Sequence, residues 1–373
     1  VPDYRHDTLW MARALQLAAH GLTTTSPNPR VGCVLVRDGE VVGEGFHQRA
    51  GEPHAEVHAL AAAGDKARGA TAYVTLEPCS HQGRTPPCAD ALIKAGVSRV
   101  VAAMQDPNPN VAGRGLARLE ATGIETRSDV LAADAEALNL GFLKRMRTGQ
   151  PWLTLKLAAS LDGATALANG ASQWITSAES RTHVQHGRAR SCAILTGIGT
   201  VLADDPSLTV RLDNHPRQPD RIVLDTHLRT PSTAKMLSLE GKTWLLHGPN
   251  DNQAAQQALL DAGARLHEIP LNHHGQLDLN AVMTWLGEQS YNEIWTEAGA
   301  TLAASLLDGG WVDEVRLYQA PVFLGSAIRP LYATALTQLS DGQQFNVIER
   351  LSLGTDLCWR LQPRLKSPSA TLT

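Results

Sequence analysis

Pro53-His54-Ala55-Glu56-Val57-His58, then Glu77-Pro78-Cys79, then Pro87-Cys88: these three short stretches decide how the first half of the chain is read. A neutral imidazole and two thiolates, from His54, Cys79 and Cys88, make a three-ligand zinc site and leave the fourth tetrahedral position open to water. Zinc brings the pKa of such a water down to roughly 7, so hydroxide is available at neutral pH. Glu56 lies two residues past the first ligand, at the start of the same expected helix. It is placed to take the water's proton and pass it to a departing nitrogen. The five cysteines, Cys33, Cys79, Cys88, Cys192 and Cys358, are an odd number in a chain of 373 residues. A disulfide framework is therefore not expected, and Cys79 and Cys88 read as metal ligands in a reducing cytoplasm.

A His-x-Glu followed by Pro-Cys and a second Cys is the signature of the zinc deaminases, which act on amino-substituted ring carbons. One feature departs from it, because eight residues, Ser80 to Pro87, separate the cysteines where the signature has two. Pro86 and Pro87 stiffen the approach to Cys88, which then opens an expected helix, Cys88 to Ala95, as a second ligand should. A protease-type pair of His54 and His58 would need its general-base Glu directly after the first His, and Ala55 stands there. His58 is expected to pack against the sheet, and Cys33 and Cys192, each in an apolar strand, to be core residues.

Outward from this motif, helical and strand patterns alternate, as in a sheet covered by helices. Helices are expected at Thr8 to His20, His54 to Ala63 and Leu116 to Thr122. Val31 to Val36 and Val41 to Gly45 flank the turn Asp38-Gly39 as a hairpin, and strands follow at Ala72 to Leu76 and Arg99 to Ala103. The polar stretch Arg145 to Pro151 ends in Gly and Pro before a fresh strand, Trp152 to Leu157, and the domain boundary is placed there, giving 1–148 and 149–373. Further strands are expected at Cys192 to Thr196, Arg221 to Leu224, Thr243 to His247, Glu293 to Thr296 and Glu314 to Ala320. Helices are expected at Gln253 to Ala262 and Leu302 to Leu307, and disorder in the tail from Lys366 to Thr373. The fold class is α/β in both halves.

With 43% hydrophobic and 19% charged residues, the composition is that of an ordinary globular protein. A formal net charge of -4 offers no general field for nucleic acid, although a local pair of basic residues could still hold a small phosphate. No apolar run approaches the roughly 20 residues of a membrane span, and the start Val1-Pro2-Asp3-Tyr4-Arg5 is too polar for a signal peptide. A cytoplasmic location is expected, with neither membrane nor nucleic acid as partner.

The words around the metal motif carry a resemblance. Pro27-Asn28-Pro29-Arg30-Val31-Gly32-Cys33, His54 to Ala59, Thr75 to His81, Gly83 to Cys88 and Asp106 to Pro109 resemble the bacterial bifunctional riboflavin biosynthesis deaminase/reductase family. So do Lys156 to Gly163, Ser172 to Ser177, Ala203 to Thr209 and Glu297-Ala298-Gly299, and only Leu239 to Gln289 lacks a familiar word. The eight-residue loop between the cysteines is itself characteristic of that family. The resemblance implies a cytidine-deaminase-like α/β/α domain followed by a dihydrofolate-reductase-like α/β domain. The first would hydrolyse the 2-amino group of 2,5-diamino-6-(5-phosphoribosylamino)pyrimidin-4-one, using zinc. The second would reduce the ribosyl group to ribityl with NADPH. Asn28, His47 and Arg84 would meet the deaminase substrate, Arg84 standing where the family often has Lys. Ala158, Trp174, Thr200, Asp204, Thr226 and the turn Gly299-Ala300-Thr301-Leu302-Ala303-Ala304-Ser305 would meet NADPH. Ser172, Arg188, Leu208, Arg211 and Glu297 would meet the reductase substrate.

The residues of the second half bear on this independently. No Gly-x-Gly-x-x-Gly fingerprint is present, so a Rossmann site is not indicated. Small residues at Glu297-Ala298-Gly299-Ala300, where a strand gives way to a helix, would let backbone N–H groups approach a pyrophosphate, as would Gly197-Ile198-Gly199-Thr200. Arg188 and Arg211 make chemical sense as a clamp on the ribose phosphate. Lys156 is a charge amid apolar strand residues. It is expected to orient the open-chain sugar imine while Glu297 helps manage the proton. Two other functions share the zinc chemistry: a deaminase of nucleic-acid bases, which the net charge disfavours, and an active deaminase carrying an inert second half. Intact Lys156, Trp174, Asp204, Arg211 and Glu297 speak against the latter. A homodimer through the second domain is expected.

Overall fold

The computed structural model describes residues 4–80, 86–108, 112–325 and 328–364. They gather into two compact units, Val1–Gln150 and Pro151–Thr373.

In the first unit the elements run α1 (Tyr4–Ala19), β1 (Gly32–Arg37), β2 (Glu40–Phe46), α2 (Ala55–Ala63), β3 (Thr71–Val74), α3 (Cys88–Ala95), β4 (Arg99–Ala102), α4 (Arg114–Glu120), β5 (Glu125–Arg127), α5 (Ala132–Leu138) and α6 (Leu140–Thr148). The strands pair in the order β2-β1-β3-β4-β5, with β1 antiparallel to both neighbours and β3, β4 and β5 parallel. Asp38 and Gly39 both adopt positive φ, which the tight hairpin turn between β1 and β2 requires. Strand alternation splits the core in two. Val34, Val36, Tyr73 and Val101 pack with Met11, Leu15, Phe142 and Leu143, whereas Cys33, Leu35, Val74 and Val100 pack with Ala55, Ala59, Leu92 and Leu116. The result is the expected α/β/α sandwich, with Cys33 as a core residue. Helix α2 lies so close to β2 that a Cβ on Gly45 would come within 2.6 Å of the Ala55 carbonyl oxygen and of the His58 Cβ. That approach seats the start of α2, and with it His54, Glu56 and His58, against the sheet. Helices α5 and α6 were not anticipated. The apolar residues of α5 are mostly alanines with little surface to bury, and it is burial of Phe142 and Leu143 that settles α6 across part of the stretch read as polar.

In the second unit the elements are β6 (Trp152–Ala159), β7 (Ala164–Leu167), α7 (Ala178–Arg190), β8 (Ala193–Gly197), α8 (Ile198–Asp204), β9 (Asp220–Leu224), β10 (Thr243–His247), α9 (Gln253–Asp261), β11 (Ala264–Glu268), α10 (Leu279–Glu288), β12 (Glu293–Glu297), α11 (Ala300–Asp308), β13 (Glu314–Gln319), β14 (Ile328–Pro330), β15 (Phe345–Leu353) and β16 (Asp356–Pro363). Nine strands pair in the order β11-β10-β9-β8-β12-β6-β13-β16-β15, and β7 pairs with β14 apart from them. All neighbours from β11 to β13 are parallel, and β16 and β15 continue antiparallel. β12 separates β6 from β8, so the order changes direction around it. In such sheets ligands bind beyond the carboxyl ends of the strands at the point where the order reverses. Cys192 is buried beside this core. The tail from Lys366 lies outside the described residues. Among those residues, no helix is long and apolar enough to cross a membrane.

Candidate active sites

His54 caps the start of α2, Cys79 follows β3, and Cys88 is the first residue of α3. Their ligand atoms all lie within 4.8 Å of one another, so the long loop between the cysteines does not separate them. His54 Nδ1 is 3.7 Å from Cys79 Sγ and 3.3 Å from Cys88 Sγ, and the backbone N–H of Cys88 donates to Cys79 Sγ at 3.3 Å. Hydrogen bonding from the Cys88 thiol, and further from His54 and the Cys88 amide, pulls Cys79 down to about 4, while the proton so shared pushes Cys88 up. One imidazole and two sulfurs converging on one point fit a zinc ion.

Glu56 is buried, and its Oε2 has no hydrogen-bond partner. Burial pushes its carboxyl above the usual range, against the opposing pull of His54. An orphaned carboxylate oxygen beside a metal-binding triad marks where a reactant would be met. Asn28 and His47 adjoin the triad: Asn28 Nδ2 lies 3.1 Å from His47 Nε2, and the His47 and His54 rings meet edge to face at 5.3 Å. Arg84 lies outside the described residues.

Glu77 escaped the sequence reading as a functional part. Its buried carboxylate accepts from the backbone N–H groups of Asp106, Gly113, Gly115 and Leu116, tying the ligand turn at Cys79 to the start of α4. The available signal was a charge at the end of an apolar run, two residues before a ligand.

In the second unit, the register sets Lys156 beside Glu297 across β6 and β12, and Arg316 beside Lys156 across β13. Glu297 ends β12, whereas Lys156 and Arg316 lie in the middle of β6 and β13. Glu297 receives Arg188 Nε at 2.6 Å and Trp295 Nε1 at 3.0 Å on Oε1, and Arg188 Nη2 at 2.9 Å on Oε2. Burial would raise its carboxyl, but Arg188, then Lys156 and Trp295, outweigh it and hold Glu297 at about 2. Burial lowers the Lys156 ammonium, with Glu297 opposing. Arg188 therefore departs from the expected partnership with Arg211. It is buried, with its fork spent on Glu297 and Nη1 donating to the Thr209 carbonyl, whereas the Arg211 side chain is exposed and its backbone N–H donates to Gln185. Trp295 was missed because it reads as an ordinary apolar strand residue.

The turns after β8 and β12 open at the same edge. A side chain built on Gly199 or Gly299 would meet nothing within 4 Å, so a pyrophosphate has room to approach the backbone there. Thr226 follows β9 at that edge, Ala158 lies near the end of β6, and Thr200 is in the first turn of α8. Ser172 lies in the loop before α7; Trp174, exposed in the same loop, has the Arg181 guanidinium 4.7 Å from its ring centroid. Asp204, the last residue of α8, is exposed. Four of the expected residues have surroundings that the sequence did not indicate. Ala303 and Ala304 are buried, because α11 docks through that face, so their side chains have little exposed surface to offer a ligand. Ser305 lies a turn further on and donates to the Thr301 carbonyl. Leu208 is buried too, at positive φ, and could offer a ligand only its backbone.

Fold and site together define a two-part enzyme, a zinc-dependent deaminase followed by a reductase. Residues 4–104 match the cytidine and deoxycytidylate deaminase zinc-binding region, and residues 151–358 match the RibD C-terminal domain. The chain belongs to the RibD family of riboflavin biosynthesis proteins. It is 55% identical over 368 residues to riboflavin biosynthesis protein RibD of Escherichia coli, covering 95% of this chain and 99% of that one. With the Haemophilus influenzae protein it shares 47% identity over 376 residues, covering 96% and 98%. Among solved structures, Acinetobacter baumannii RibD, form 1, superposes with a TM-score of 0.91 at 44% identity, covering 97% of this chain and 100% of that one. The Thermotoga maritima diaminohydroxyphosphoribosylaminopyrimidine deaminase/5-amino-6-(5-phosphoribosylamino)uracil reductase gives 0.86 at 30% identity, covering 97% and 99%.

Proposed function

We propose that the residues assembled above divide two consecutive steps of riboflavin biosynthesis between 1–148 and 149–373. The first is hydrolytic deamination of 2,5-diamino-6-(5-phosphoribosylamino)pyrimidin-4-one, and the second is reduction of the ribosyl side chain to ribityl. The carrying observation is the convergence of His54, Cys79 and Cys88 beside the unpartnered oxygen of Glu56. Zinc held by the three ligands supplies Lewis acidity that makes water nucleophilic at neutral pH. Glu56 takes a proton from the attacking water and returns it to the 2-amino nitrogen, which leaves as ammonia. Asn28 meets the pyrimidine edge, and Arg84 the phosphate.

In the second step bound NADPH would supply the hydride that reduces the sugar carbon of the open-chain imine. Lys156 donates the proton that the imine nitrogen needs, a task suited to an ammonium whose pKa burial has lowered. Glu297, ionised and held by three N–H donors, has no proton to give. It orients the sugar hydroxyls by accepting from them, and Arg188 acts on the substrate through Glu297. Arg211 would hold the phosphate, Ser172 and the Leu208 backbone would bound the sugar, and Ala158, Trp174, Thr200, Asp204, Thr226 and the Gly299 turn would hold NADPH. We assign a homodimer through the second unit, which the mass in solution tests, and a cytoplasmic location, which cell fractionation tests.

The test is a coupled assay. Given the diaminopyrimidine ribotide, the protein should release ammonia, and on addition of NADPH should consume it at the cofactor's absorbance band. Lys156→Met should abolish NADPH consumption and leave ammonia release intact; equal loss of both would remove Lys156 from the reductive step.

A further inference from the structure

The direction of the hydrogen bonds between His47 and Asn28 follows from donors and acceptors alone. His47 is buried, with Nδ1 3.1 Å from the carbonyl oxygen of Pro53 and Nε2 3.1 Å from Nδ2 of Asn28. A carbonyl oxygen can only accept, so Nδ1 carries the ring proton. Nδ2 of Asn28, which can only donate, faces Nε2, so Nε2 accepts and the ring is the neutral Nδ1–H tautomer. Only the N–H of the Asn28 amide can meet that lone pair, because a flipped amide would set its oxygen against it. The Pro53 carbonyl, one residue before the ligand His54, thereby decides which end of Asn28 turns away from His47.

We propose that His47 is a positioning residue that fixes the Asn28 amide so that its oxygen accepts from an N–H or amino group on the reacting pyrimidine, while His47 itself does not touch the substrate. This rests on the reading that Asn28 meets the pyrimidine, and it departs from the direct substrate contact that the family resemblance implies for His47. The site then selects rings with a hydrogen-bond donor at that edge over rings with a bare acceptor.

Two measurements on the full-length zinc-loaded protein test it. Long-range proton–nitrogen NMR of histidine-labelled protein, with the His47 signal identified by its loss in His47→Gln, should show the Nδ1–H tautomer at pH 7. An Nε2–H tautomer or an imidazolium would overturn the inference. In ammonia-release kinetics, Asn28→Ala and His47→Leu should each raise KM about tenfold, the usual consequence of losing one hydrogen bond to a ligand. The double variant should be no worse than either alone, because both remove the same contact. His47→Gln, whose amide reaches the Nε2 position and can offer Asn28 an oxygen, should recover most of the loss seen in His47→Leu. Additive losses would mean that His47 makes a substrate contact of its own, and would sink the proposal. An unchanged KM in Asn28→Ala would instead remove Asn28 from the substrate site, whatever the tautomer. Zinc content and melting temperature of each variant separate these effects from misfolding.

Discussion

Glu56 and Glu297 are both carboxylates that burial penalises, yet their surroundings drive them apart. Glu56 has one oxygen without a partner, and burial pushes it above the usual range. Glu297 faces three N–H donors and stays ionised down to about 2. One is suited to take up and release a proton, and the other to hold a fixed negative charge. Glu56→Gln should cut ammonia release by about 10²–10⁴-fold while zinc content stays unchanged, since the carboxylate is not a ligand. Metal analysis beside the deaminase rate checks this, and a variant that retains full activity would remove Glu56 from the proton path.

At the scale of elements, two packing devices hold the sites. Helix α7 delivers Arg188 to Glu297, and a Cβ on Gly187 would come within 2.5 Å of the Trp295 ring. Gly187→Ala should therefore cost about 1–3 kcal/mol through overpacking and disturb the indole that donates to Glu297. Reduction should fall more than ammonia release, which a thermal melt and the coupled assay would show. In the first unit Asp7 of α1 accepts from Tyr73, Arg99 and Arg127, joining α1 to β3, β4 and β5. Burial raises its carboxyl, but Arg99, Tyr73 and Arg127 more than offset this and hold it below the usual value. A carboxyl depressed on folding contributes stability that is fully present above its unfolded pKa of about 3.9 and is lost as pH falls through the folded value. Asp7→Asn should thus lower the melting temperature at pH 7, and the deficit should shrink below pH 4, where the native carboxyl also takes up a proton. A pH-independent deficit would contradict the linkage.

For the whole molecule, each chemistry draws its residues from one compact unit. Stripping zinc with a chelator should stop ammonia release, while NADPH consumption should continue when the deaminated ribotide is supplied directly. Loss of both activities on chelation would show that the second unit also depends on the metal. Added zinc should restore the first step.

Much of the fold was legible because its strongest strands are short apolar runs bounded by turn residues. Thr243 to His247 and Cys88 to Ala95 were read to the residue. The strands of the antiparallel edge, β15 and β16, were not. β15 is largely exposed, so its sequence lacks the apolar signature of a central strand, and pairing alone makes it one. Chemistry at fixed local spacing, His54 with Glu56 and Pro87 with Cys88, was settled by the sequence, since donor type and helix start are local properties. What only tertiary structure decided were partnerships across long separations, Arg188 with Glu297 and Glu77 with the start of α4, and the burial of Ala303 and Ala304. A side chain's partner depends on which elements the sheet order brings alongside it, and no local pattern encodes that order.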